Sequence, residues 1–181
     1  MTKIDTFFDG YEPTRVNPRK MPKQKPGRSK QNYGTPENFI CAVLPKLGIT
    51  SFARDLAADK DNTQGKVFFT EKQNSLTKCW FDIVVPKWQW MNPPFSDIRP
   101  WAEKAYRSSL CGAQIAMLIP ASVGANWWRD WVHEKARVFL LNGRIHFVGC
   151  EDPYPKDCAL LLYSRNWDAG YDVWTWTKGA L

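Results

Sequence analysis

The stretch Trp88-Gln89-Trp90-Met91-Asn92-Pro93-Pro94-Phe95-Ser96 decides the fold class of this chain. Its first four residues are large and mostly apolar, and we predict that they form a buried strand. The strand runs straight into a loop that two prolines stiffen. Ser96 can cap a helix that continues to about Leu110, with Pro100 in its first turn. A strand, a rigid loop and a helix in succession are typical of α/β proteins.

Strand-like and helical patterns alternate on both sides of this stretch. Thr35 can cap a helix that begins at Pro36. Further strands are predicted at 52–56, 67–69, 115–119, 138–141, 144–148, 159–163 and 171–176, and a further helix at 126–135. The order indicates a mostly parallel sheet with an antiparallel end. Because such sheets bind ligands beyond the carboxyl ends of their strands, the loop at 92–95 lies at the ligand edge.

Length and composition fit one globular domain with an extension. The chain has 181 residues, of which 44% are apolar. It lacks an apolar run long enough to span a bilayer and begins without a secretory signal, so we expect a soluble cytoplasmic protein. Five widely spaced cysteines and two histidines favour reduced thiols over a metal site.

The positive charge is concentrated at the front of the chain. The formal net charge is +7, and residues 1–30 hold eight basic and three acidic side chains. Four prolines and few large apolar residues lie among them, so we predict a basic, Pro-rich flexible arm over 1–32 and a folded domain over 33–181. The arm is either a contact for a polyanion or a solvated tail.

The loop at 92–95 suits chemistry on the amino group of a purine. The adenine amino group is a poor nucleophile because its lone pair is delocalised into the ring. Carbonyl oxygens from the Asn92 side chain and the Pro93 backbone can accept hydrogen bonds from that group. Pro93 and Pro94 hold these acceptors in position, and Phe95 offers a face on which an extruded base can stack. The alternative is a structural Pro-Pro turn.

A series of motifs follows one another in order from Tyr33 to about Tyr163. They are Thr35-Pro36, Asp55-Leu56-Ala57-Ala58-Asp59, Phe68-Phe69-Thr70-Glu71, Leu76, Trp80, Asn92-Pro93-Pro94-Phe95-Ser96, Trp101, Lys104-Ala105, Met117-Leu118-Ile119-Pro120-Ala121 and Gly143-Arg144-Ile145-His146-Phe147. In these motifs the chain resembles the Dam-like adenine methyltransferases of bacteriophages and prophages. The resemblance implies a Rossmann-like, S-adenosylmethionine-dependent methyltransferase fold over 33–181. It also implies S-adenosylmethionine as cofactor, double-stranded DNA as partner and GATC-like targets.

The resemblance also implies roles for individual residues. Asp55 and Asp59 would bind the methionine ammonium of the cofactor, Thr35-Pro36 would approach its carboxylate, and Glu71 would bind its ribose hydroxyls. Phe147 would stack on the target base together with Phe95. Each has a structural alternative: Thr35 as a helix cap, Asp55 as a strand-end turn residue, Glu71 as a solvated side chain and Phe147 as a core residue.

Three other functions stay open at this point. The same loop would serve methylation of RNA adenine or of a protein glutamine, and a non-catalytic DNA-binding protein could keep the fold. The basic arm favours a nucleic acid over a protein. The side chains expected to contact the DNA backbone are Arg15, Arg19, Lys20, Lys23, Lys25, Arg28 and Lys30.

Replacing those seven arm residues with glutamine should weaken DNA binding and flatten its salt dependence. The slope of log K against log salt should become shallower by about 0.9 for every phosphate that the arm no longer neutralises, because fewer condensed counterions are released. The slope can be measured by fluorescence anisotropy with a labelled duplex. An unchanged slope would mean that the arm is only a solvated tail.

Overall fold

The computed structural model describes residues 33–81 and 87–176. The predicted arm at 1–32, with its seven DNA-contacting side chains, lies outside the described residues. No helix in the described part of the chain is long and apolar enough to cross a membrane.

Within residues 33–81 and 87–176, seven strands form one sheet, in the order β2-β1-β3-β4-β6-β5-β7. The strands are β1 Phe52–Asp55, β2 Gly65–Phe68, β3 Trp88–Met91, β4 Gln114–Pro120, β5 Arg137–Asn142, β6 Cys158–Tyr163 and β7 Gly170–Thr175. The helices are α1 Glu37–Leu47, α2 Arg99–Leu110 and α3 Asn126–Trp131, and 3-10 turns lie at Glu71–Gln73 and Ser75–Thr77.

The predicted mostly parallel sheet with an antiparallel part is confirmed. β1 pairs in parallel with β2 and β3, β3 with β4, and β5 with β7. Only the pairs of β6 with β4 and with β5 are antiparallel within the described residues. The antiparallel part is therefore a single strand inside the sheet, and six strands run in the same direction.

The central strands are covered on both faces, which explains their continuous apolar runs. Met91 and Met117 lie on one face, where α2 and α3 cover them. Trp90 and Leu118 lie on the opposite face with Phe39 of α1. The loop after β3 therefore leaves from a strand that is buried on both sides, which gives the loop a rigid base.

The helix ends differ from the predicted ones. α1 begins at Glu37 because Pro36 has extended backbone angles (φ −68°, ψ 140°), and Thr35 makes no capping hydrogen bond. α2 begins at Arg99 with Ile98 at the N-cap position, so the predicted cap at Ser96 is wrong. α3 ends at Trp131, not at 135, and Glu134 takes the left-handed conformation (φ 57°) that a helix excludes.

The predicted strand at 144–148 is wrong. Only Val148 pairs there, in an isolated bridge with Gly34. Ile145 and Phe147 are buried while Arg144 is exposed, so the segment has the alternation of a strand. However, β5 already pairs with β6 and β7, and the segment lies instead across the face of the sheet. An extended segment that is buried on one side shows the same alternation of buried and exposed residues without pairing to another strand.

Substituting Gly65 with alanine should destabilise the fold by about 1–3 kcal/mol, because of overpacking between β1 and β2. A Cβ atom at Gly65 would lie 2.8 Å from the Arg54 backbone carbon and 2.9 Å from the Asp55 nitrogen. Gly124→Ala is the matched control, since nothing lies within 4 Å of a Cβ there. Urea denaturation would measure both, and equal midpoints would contradict the prediction.

Candidate active site

A cavity of about 520 Å³ lies beyond the carboxyl ends of β1, β2 and β3. We call it the first cavity. Its walls come from the loops that follow these three strands, including Asp59, Glu71 and Asn92, and from Tyr33 at the start of the described chain. Parallel strands bring loops distant in sequence to one edge, so the position of this cavity follows from the topology. Its volume is in the range of small-molecule and cofactor sites.

Asn92 follows the buried end of β3 and joins the loop at 92–95 to the start of the described chain. Its Nδ2 donates a hydrogen bond of 2.7 Å to the backbone carbonyl of Tyr33. This bond fixes the orientation of the amide. The Asn92 Oδ1 atom is buried and has no hydrogen-bond partner among the described residues. Such an acceptor costs free energy that a bound donor can recover.

A second, more open cavity adjoins the first and has aromatic walls. Tyr33, Phe95, Phe147 and Tyr154 line it, and Tyr33 also lines the first cavity. Ring centroids lie 5.8 Å apart for Phe95 and Phe147, and 5.5 Å apart for Tyr33 and Phe147. A planar ring can bind against such a surface. Phe147 is only 1% exposed, so its ring supports the others from below and offers little face to a ligand.

Asp55 is buried beneath the first cavity and does not line it. Its Oδ1 accepts a 3.1 Å bond from the Ala57 backbone nitrogen, and its Oδ2 accepts a 2.9 Å bond from that of Gln64. Desolvation raises the pKa of Asp55 to about 6, although both backbone bonds act in the opposite direction. Asp55 thus holds the two ends of the loop between β1 and β2, which forms one wall of the cavity.

Asp59 is the acidic residue of that loop that reaches the first cavity. Its backbone nitrogen donates to Asn62 Oδ1 at 2.8 Å, which orders the turn. Its Oδ1 is buried and has no partner within 33–81 or 87–176. A buried carboxylate oxygen of this kind fits a cationic or hydrogen-bond-donating ligand.

The structure therefore separates the predicted site residues into three groups. Asp59, Glu71, Asn92 and Pro94 line the first cavity, and Phe95 and Phe147 line the second. Thr35, Pro36, Asp55 and Pro93 line neither one. The roles predicted for all of these residues stay predictions.

Sequence reasoning missed Tyr33 and Tyr154. Tyr33 contacts Asn92 across 59 positions of the chain, and no local pattern reports such a contact. Tyr154 lies between two prolines, Pro153 and Pro155, which signal an ordered turn. A tyrosine fixed by prolines near the predicted base-binding segment was the one clue in the sequence.

Fold and site together define an α/β protein of the Rossmann-like methyltransferase class, with two adjoining cavities at the ligand edge of the sheet. The family model described as DNA N-6-adenine-methyltransferase (Dam) matches residues 23–178, and the chain belongs to this family. The predicted resemblance to phage enzymes of this kind is thereby confirmed.

Two curated phage proteins are similar to the chain. It is 31% identical over 102 residues to the DNA N-6-adenine-methyltransferase of Haemophilus phage HP1 (strain HP1c1), covering 55% of the chain and 57% of that protein. It is 27% identical over 116 residues to the DNA N-6-adenine-methyltransferase of Escherichia phage T1, covering 64% of the chain and 47% of that protein. The chain thus spans about half the length of these relatives. No solved structure matches it significantly.

The stability of the protein should depend on pH through Asp55. The folded state binds this proton more tightly than the unfolded chain does, since the pKa rises from 3.8 to about 6. The contribution of protonated Asp55 to the free energy of unfolding is therefore complete below about pH 4. It is lost as the pH rises to about 6, and over that range the free energy of unfolding falls by about 1.4 kcal/mol per pH unit.

Urea denaturation of the wild type and of Asp55→Asn across this range would test the effect. The free energy of unfolding of the wild type should fall relative to that of the variant as the pH rises. Asp61→Asn, an exposed position in the same loop, is the control and should run parallel to the wild type. Parallel curves for Asp55→Asn would contradict the assigned pKa.

Proposed function

We propose that this chain transfers a methyl group from S-adenosylmethionine to the exocyclic amino group of adenine in DNA. The observation that carries the proposal is the buried Oδ1 of Asn92, an acceptor with no partner among the described residues, on a residue that lines the first cavity and binds Tyr33. The names of the two phage relatives support the same reaction.

The first cavity is the proposed cofactor site. When bound, S-adenosylmethionine supplies an electrophilic methyl group on a sulfonium centre. Asp59, with its unpaired buried oxygen, is the residue proposed to bind the ammonium group by a charge-assisted hydrogen bond. Glu71, on the wall formed by the loop after β2, is the proposed acceptor for the ribose hydroxyls. Asp55 does not line this cavity, and the role proposed for it is to hold the loop that carries Asp59.

The second cavity is the proposed site for the target base. An enzyme that modifies a base must take it out of the duplex, and Phe95 offers a partly exposed ring on which it can stack. The Asn92 side chain and the Pro93 carbonyl would accept hydrogen bonds from the amino group. The amino nitrogen would form a bond to the methyl group as the bond between that group and the sulfonium sulfur breaks, which would leave a neutral thioether, and the nitrogen would then lose a proton to solvent. Two acceptors favour this change by stabilising the positive charge that develops on the amino group.

Access to Asn92 requires a small rearrangement. Its Oδ1 is covered by protein atoms in the free protein. The base can therefore reach this acceptor only when neighbouring side chains move aside. Catalytic hydrogen bonds commonly form only in the complex with substrate, so this geometry fits the proposed role.

DNA is the proposed partner because of the basic arm and the activity that the relatives' names state. The family match begins at residue 23 and thus includes part of the arm. A methyl-incorporation assay that offers duplex DNA, RNA and protein would discriminate between DNA, RNA adenine and protein glutamine as substrates. Thermal stabilisation by S-adenosylmethionine would separate an enzyme from a non-catalytic DNA-binding protein.

Two substitutions should separate chemistry from cofactor binding. Asn92→Ala should lower methyl transfer at least about a hundredfold, the usual effect of removing an acceptor or donor aimed at the transition state, while cofactor affinity stays largely unchanged. Asp59→Ala should weaken cofactor binding about tenfold or more, because it removes a charge-assisted bond. Calorimetric titration and methyl incorporation measure the two effects.

Asn142→Ala, on an exposed residue at the end of β5, is the control for Asn92→Ala and should leave both quantities unchanged. Full turnover by Asn92→Ala would overturn the proposed mechanism. An unchanged cofactor affinity in Asp59→Ala would overturn the proposed cofactor contact but not the reaction.

A further inference from the structure

Tyr154 lies on the wall of the second cavity, and the proposed mechanism does not use it. Its ring centroid is 5.5 Å from that of Phe95 and 5.6 Å from that of Phe147. Tyr154 is half-buried, so part of its side chain is accessible from the cavity, whereas Phe147 is covered. Of the three rings of Phe95, Phe147 and Tyr154, a bound base can therefore reach those of Phe95 and Tyr154.

The two rings cannot act as parallel plates. The planes of Phe95 and Tyr154 meet at 64°. A base stacked on Phe95 would therefore meet Tyr154 at a similar steep angle. In this arrangement Phe95 provides the stacking face, and Tyr154 contacts the edge of the base, where its polar groups lie.

The hydroxyl of Tyr154 has no hydrogen-bond partner within residues 33–81 and 87–176, although the backbone of Tyr154 is fully engaged. Burial, followed by the nearby Cys158 and Tyr33, raises the pKa of Tyr154 to about 12. The hydroxyl therefore keeps its proton at neutral pH and can donate it to a ring nitrogen.

The backbone around Tyr154 is held firmly. Its nitrogen donates to the Ile145 carbonyl at 2.8 Å. Arg144 donates to the carbonyls of Tyr154, at 3.4 Å, and of Pro155. Prolines on both sides restrict the backbone further. The side chain thus projects from a preorganised loop, as specific recognition requires.

The charges of the cavity favour a neutral ring over a phosphate. Glu151 and Asp152 line the second cavity, and Lys156 is the one cation among its described lining residues. These carboxylates would repel the DNA backbone. A neutral heteroaromatic ring with lone pairs on its nitrogens is the chemistry that the aromatic wall and the free hydroxyl fit.

We propose that Tyr154 is a specificity-determining residue whose hydroxyl donates a hydrogen bond to a ring nitrogen of the extruded adenine. This inference rests on the proposed function. Adenine has free ring nitrogens at N1, N3 and N7. The Tyr154 hydroxyl would bind one of these three nitrogens. This bond is separate from those proposed between the amino group and Asn92 and Pro93.

The test combines Tyr154→Phe, which removes only the hydroxyl, with altered substrates. Duplexes carry the methylated site with the target adenine replaced by 1-deaza-, 3-deaza- or 7-deazaadenine, each lacking one ring nitrogen. On adenine, Tyr154→Phe should lower kcat/KM about fivefold to tenfold, the size expected for one neutral hydrogen bond. For the wild type, one of the three analogues should cause a similar loss.

The decisive result is coupling between the two changes. Tyr154→Phe acting on that one analogue should be no slower than either change alone, because both remove the same bond. Tyr106→Phe is the matched control, since Tyr106 lies on α2, packs on Trp131 and lines neither cavity. It should respond to the analogues as the wild type does. Stabilisation by S-adenosylmethionine should be equal in all three proteins.

Three outcomes distinguish the failures. If the wild type methylates adenine but none of the analogues slows it, the hydrogen bond to the ring does not exist and the inference is overturned without any variant. If Tyr154→Phe behaves as Tyr106→Phe does, the hydroxyl is not the donor. If the wild type fails to methylate any duplex, the proposed function fails and this inference fails with it.

Discussion

The side-chain amide of Asn92 makes a hydrogen bond that links two distant parts of the chain. Its Nδ2 binds the carbonyl of Tyr33, and the same residue continues directly from β3, which is buried on both faces. The bond holds the start of the described chain over the site and leaves Oδ1 as the acceptor without a described partner. Tyr33 in turn lines both cavities, so this contact ties Asn92 to a residue that the two cavities share. The geometry of the proposed reaction depends on that contact.

The buried carboxylate of Asp55 shows how the fold supports the site at some cost. Its burial raises its pKa, so the ionised form lowers stability near neutral pH. In return, it binds the backbone at Ala57 and Gln64 and closes the loop that carries Asp59. Asp55 thereby shapes the wall on which Asp59 lies, and the cofactor contact predicted for Asp55 stays a prediction. Proteins commonly accept such local strain at functional sites.

The aromatic rings that line the second cavity differ in their exposure. Phe147 is covered and contacts Phe95, which is partly buried and packs against both core clusters of the sheet. The segment 144–148 crosses the sheet face without pairing in it, and so brings Phe147 and the Tyr154 loop next to the end of β3.

The sequence alone determined the α/β class, the bounds of β3 and the loop at 92–95, because a continuous apolar run followed by two prolines leaves few local alternatives. It also indicated the family, since several spaced motifs occur in one order. Only the tertiary structure decided that Asp59 and not Asp55 lines the first cavity, that Phe147 is covered, and that Tyr33 orients Asn92. These facts depend on contacts between residues far apart in the chain, such as positions 33 and 92. Local sequence propensity does not indicate which distant backbone group a given side chain will contact.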